Sequence, residues 1–89
     1  MSDTPPAQIA PSLRHVLADN PDAQFYLLVR VTQADDQTEQ VLQVYGATIR
    51  HRLTLLPTFA ITCTGATALS LLACSFVQRI EDDRPVHTL

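Results

Sequence analysis

The chain has no tryptophan and no lysine, only two glycines and two cysteines, and five aromatic residues in all. Each shortage removes a class of function. With glycine only at Gly46 and Gly65, no glycine-rich loop exists to cradle a phosphate. Cys63 and Cys74 are not in a CxxC arrangement, and two cysteines do not make a disulfide framework. They read as reduced, small core residues. All six basic side chains are arginines, scattered among nine acidic ones, for a net charge of −3. That balance lacks the basic stripe of a nucleic-acid binder. No apolar run approaches the ~18 residues of a membrane span. The first six residues lack the basic and apolar regions of a signal peptide, which gives a cytoplasmic expectation.

His15, His51 and His87 have no partner at metal-ligand spacing, so neither a metal nor a cofactor is expected. A nucleophile built on Cys63 would need an exposing turn, and no glycine is placed to make one. The expectation is a binding protein, not an enzyme.

What is present is a patterned chain of 89 residues, enough for one small domain. Its hydrophobic fraction of 46% is that of a folded protein. Residues 1–10 hold Pro5 and Pro6 and no apolar period, and read as a disordered tail. Residues 11–20 read as a short helix that starts at Pro11 and stops before Pro21. Residues 24–32 form the most apolar strand. Asp36 and Glu39 have capping-box spacing, and Thr38, Val41, Leu42 and Tyr45 share a helix face that closes at Gly46. Residues 48–55 alternate, with Ile49, His51, Leu53 and Leu55 on one side and Thr48, Arg50, Arg52 and Thr54 on the other. A break at Leu56 and Pro57 leads to a second alternating strand through Cys63. Leu55 and Leu56 are expected in the hairpin core, and Tyr45 and Phe59 in the main core. Thr64 is placed to cap a helix over 65–75, and a last strand runs to about Asp82.

The order after the first helix is strand, helix, strand, strand, helix, strand. The expected fold is α+β: a ferredoxin-like split βαβ unit (βαββαβ), an antiparallel four-stranded sheet with two helices on one face, plus the short N-terminal helix. One sheet face then has no helix of its own. It is expected to carry Arg50, Arg52, Thr54, Ala60, Thr62, Arg79 and Glu81. Glu81 and Asp83 lie two apart at the end of the last strand and so share a side, with Asp82 opposite. Beyond them the chain ends in a proline-stiffened segment closed by an apolar residue, Leu89.

These residues resemble a known family. Gly46 at a helix end, the alternating strand after it, Leu56-Pro57-Thr58-Phe59-Ala60 at the hairpin, the last strand, and the Glu81-Asp82-Asp83 cluster at its distance from the C-terminus are similar to the propeptides of subtilisin-like serine proteases and the free-standing inhibitors akin to them. The resemblance spans residues 24–89. It implies a single inhibitor domain over residues 11–83 and an extended inhibitory tail over 84–89. It implies that the helix-free face packs on two surface helices of the protease, with Glu81 and Asp83 at their N-termini. Unpaired N–H donors and a partial positive charge there favour a carboxylate, by ~0.5–2 kcal/mol. Val86, His87, Thr88 and Leu89 would lie in the substrate cleft as a cleaved product does. Leu89 and Val86 would fill pockets worth ~1.5–3 kcal/mol each. The implied partner is a subtilisin-like protease, and the free chain is expected to be a monomer. A folding-chaperone role accompanies inhibition in such propeptides. Thr58 departs from the pattern, standing where glycine is common, and no protease follows Leu89, which favours the free-standing kind. The competing expectation is a non-enzymatic module that binds a ligand or dimerises through the open face.

Overall fold

A computed structural model describes residues 7–83 of the chain. The elements are β1 (Gln8–Ile9), α1 (Pro11–Asp19), β2 (Gln24–Val31), α2 (Asp36–Val44), β3 (Thr48–Leu53), β4 (Thr58–Thr64), α3 (Gly65–Leu71) and β5 (Val77–Asp82). The sheet order is β1-β5-β2-β4-β3. The fold is thus α+β, with three helices and a five-stranded mixed sheet.

Two expectations need correction. The sheet has five strands, because Gln8 and Ile9 pair in parallel with Arg79 and Ile80 at the outer edge of β5. That also removes residues 7–10 from the tail assigned to residues 1–10; the first six lie outside the described residues. An apolar period is not needed for a two-residue strand whose Ile9 packs against an existing core. The other three pairings, β5 with β2, β2 with β4 and β4 with β3, are antiparallel.

All three helices cover the same side of the sheet. Leu17 of α1, Leu42 of α2, and Ala68 and Leu71 of α3 join one core with Leu27, Val29, Val31, Phe59, Ile61, Cys63 and Ile80. Alternate residues of the strands supply that face, as period-two pleating requires. Gly65 lets α1 and α3 approach closely. A Cβ there would stand 2.5 Å from the Leu17 carbonyl oxygen and 2.6 Å from that of Asn20. The junction is tied by the Gly65 N–H donating to Ala23 O at 3.1 Å and the Ala66 N–H donating to Pro21 O at 3.0 Å.

The helix ends follow local chemistry. Asp35, one residue before the expected cap, accepts from the Thr38 N–H at 2.8 Å. Thr64 caps α3 by accepting from the Thr67 N–H at 3.2 Å. After α2, Gly46 takes φ 107°. The Ala47 N–H donates to Leu42 O and the Gly46 N–H to Gln43 O, both at 3.0 Å, which is the Schellman pattern.

Candidate docking face

The side of the sheet away from the helices is organised in three rows, read across β5, β2, β4 and β3. The first is Glu81, Leu28, Ala60 and His51. The second is Arg79, Arg30, Thr58 and Leu53. The third is Tyr26, Thr62 and Thr48, with Asp83 beside Tyr26 through its N–H donating to Tyr26 O at 3.0 Å. Ala60 is 4% exposed and Thr58 6% exposed, although no helix covers them. Their longer neighbours enclose them. Leu28, Arg30, Leu53, Leu56 and Glu81 stand around Thr58 and leave a shallow, open depression of about 170 Å³. The Thr58 Oγ1 at its floor is buried without a hydrogen-bond partner.

Two of the residues expected here are elsewhere. Pairing shifts register between Ile49 and His51, a β-bulge at Arg50. One extra residue reverses the alternation beyond it. Arg52 therefore pairs opposite Phe59 and turns to the helix side. There its Nη1 meets Asp36 Oδ1 at 2.7 Å and Glu39 Oε1 at 3.5 Å, both on α2. These contacts, the Asp36 hydrogen bond first, push the guanidinium above its ordinary value. His51 and Leu53 take the open face in its place. Thr54 lies in the turn rather than on a strand. Arg50, Ala60, Thr62, Arg79 and Glu81 are on the open face as expected.

The two carboxylates share that face. Glu81 Oε1 lies 2.6 Å from Arg79 Nε. Arg79 Nη1 also donates to Gln8 Oε1 at 3.3 Å, tying β1 to the same corner. Asp83 Oδ2 meets Arg50 Nη2 across the sheet. Asp82 pairs opposite Leu27 and so stands on the other side. Val86, His87, Thr88 and Leu89 lie outside the described residues.

The hairpin tip is exposed, against expectation. Leu55 is fully exposed and Leu56 54% exposed. Residues 54–57 make a turn beyond the end of the main core, where Leu55 points to solvent and Leu56 only borders the depression around Thr58. Tyr45 is also displaced from the core, at 43% exposure, while Phe59 is fully buried. A hydrogen bond with the Cys74 thiol pushes the Tyr45 phenol above its ordinary value. Sequence reasoning missed Tyr26, Leu28 and Arg30 as members of the open face. The signal was available, because strict alternation along β2 places them opposite Leu27, Val29 and Val31.

Cys63 is buried, and burial pushes its thiol up to about 11, away from nucleophile chemistry. Among the described residues, no cluster of three or more His, Cys, Asp or Glu side chains could hold a metal ion. Nor is any helix there long and apolar enough to cross a membrane. A second cleft, between α1 and α3, is lined by Ala7, Arg14, Ala18, Leu69, Leu72 and Ala73, with one titratable group among them. Comparison with protein-family models, curated protein sequences and solved structures gave no match.

Proposed function

We propose that the chain is a protein inhibitor of a subtilisin-like serine protease, and that it docks by its helix-free sheet face. The observation that carries this reading is one face combining a floor of small buried residues with two carboxylates at a single margin. Ala60 and Thr58 make the floor, with partly buried Thr62 beside them, and Glu81 and Asp83 the margin. A floor without bulky side chains accepts the convex surface of packed helices. Carboxylates at its edge suit helix N-termini. Each already has an arginine partner, but a carboxylate has about four acceptor sites, so one arginine leaves capacity for helix N–H groups. The strand order β5-β2-β4-β3 and its antiparallel pairings support a ferredoxin-like unit, to which β1 and α1 are additions. The role is binding, not catalysis, with assistance to protease folding as a secondary role. Val86, His87, Thr88 and Leu89 occupy the substrate cleft product-like, and strand addition gives the tail affinity with little sequence demand.

Titration into a panel of subtilisin-like proteases, with and without residues 86–89, tests the reading. Inhibition at micromolar concentration or below, weakened by the truncation, is the expected result. Full activity of every protease at micromolar inhibitor removes it. Equal inhibition by the truncated chain removes the tail mechanism.

A second reading, self-association through the same face, is favoured by the exposure of Tyr26 at 60% and Leu53 at 51%. Sedimentation equilibrium separates the two. A dimer that buries this face is incompatible with docking on a protease.

A further inference from the structure

Arg50 occupies the bulge of β3 and reaches over two strands. Its guanidinium carbon lies 4.8 Å from the centre of the Tyr26 ring on β2. Its Nη2 donates to Asp83 Oδ2, next to the end of β5, and at 3.5 Å to the Ile61 carbonyl oxygen on β4. Its Nε is buried without a hydrogen-bond partner. The side chains of Arg50 and Asp83 are only 29% and 32% exposed. One residue thus touches β2, β4 and the residue that follows β5, the last of these over 33 positions of sequence. Leaving a guanidinium N–H buried and unpaired is unfavourable. The conformation is held by stacking and the ion pair together. Asp83 is the last described residue, and its N–H to Tyr26 O is the last hydrogen bond of the β5–β2 edge described.

We propose that Arg50 is a positioning residue for the docking face. It fixes the Asp83 carboxylate and backbone where β5 ends. Lysine does not substitute fully, because an ammonium lacks the planar fork that stacks on tyrosine and meets a carboxylate at once. The consequence for a protease rests on the function proposed above, and the positioning itself does not.

Amide hydrogen exchange followed by NMR on the full chain tests the positioning without any protease. In R50A, exchange at the Asp83 N–H is expected to quicken about tenfold, mid-range for residues in one ion-pair network. The amides of Val29 and Ile61 should stay protected. D83N should match it, R50A/D83N should add nothing further, and R50K should fall between. Unchanged exchange at Asp83 in both R50A and D83N overturns the proposal. If R50A disturbs the core amides, D83N decides alone. Against a protease that the natural chain inhibits, R50A should weaken inhibition while R50K partly restores it. Faster exchange with unaltered inhibition overturns the link to docking. Faster exchange where the natural chain inhibits no protease upholds the positioning and removes the inhibitor reading instead.

Discussion

Gly65 is the residue with least room for change. Any side chain there meets backbone oxygens of Leu17 and Asn20, which cannot rotate away. Gly65→Ala should lower stability by about 1–3 kcal/mol, the usual cost of forcing a packed contact apart. Urea denaturation followed by circular dichroism measures it. Gly46 is limited by its backbone, with φ at 107°, and a Cβ there would also stand 3.3 Å from Thr67 Oγ1. Cys63 gives a chemical check on burial. With its thiol pushed to about 11, about one molecule in a thousand carries the thiolate at pH 8. Alkylation of the folded chain should therefore modify Cys74, which is partly exposed, and reach Cys63 only after unfolding. Equal labelling of both by mass spectrometry contradicts the core as described. At this scale Gly65 was legible only as a helix start. Its true constraint comes from α1, distant in sequence, and no local pattern carries it.

The added elements β1 and α1 close one edge of the sheet and cover α3. Leu17 is fully buried at the centre of their contact. Leu17→Ala should cost about 2–5 kcal/mol, as removal of a core leucine does. A cost near zero means that the α1 unit is peripheral to the fold. The cap of α2 predicts a pH effect. The hydrogen bond from the Thr38 N–H holds the Asp35 carboxyl below its ordinary 3.8. A depressed folded value contributes stability that is full above 3.8 and is lost as pH falls through the folded value. Asp35→Ala should lower the melting temperature at pH 7 and narrow its gap from the natural chain below pH 3.8. Thermal melts at several pH values check the sign. Periodicity and capping residues made seven of the eight elements readable: α1, α2, α3 and the four long strands. Two things were not. β1 has too few residues for a period, and exists because Ile9 finds the Ile80 edge. The bulge at Arg50 leaves a sequence that still alternates perfectly through Leu53, so parity alone put Arg52 on the wrong side.

For the whole molecule, the asymmetry of the sheet matters most. One face is covered by three helices, and the other encloses Ala60 and Thr58 with side chains alone. The membership of that second face was legible in part. Ala60, Thr62, Arg79 and Glu81 follow from alternation, whereas His51 and Leu53 depend on the bulge. Glu81 and Asp83 were legible as a same-side pair, but their arginine partners were not. Arg50 reaches Asp83 only because the chain folds β3 and β5 into one sheet. Methyl resonances report directly on which face a partner covers. Adding an active-site-blocked subtilisin-like protease to the labelled chain should shift the methyls of Leu28, Leu53 and Ala60. Those of Leu17, Leu42 and Leu71 should stay in place. Shifts confined to the helix side, or none at micromolar concentrations, contradict docking by the helix-free face.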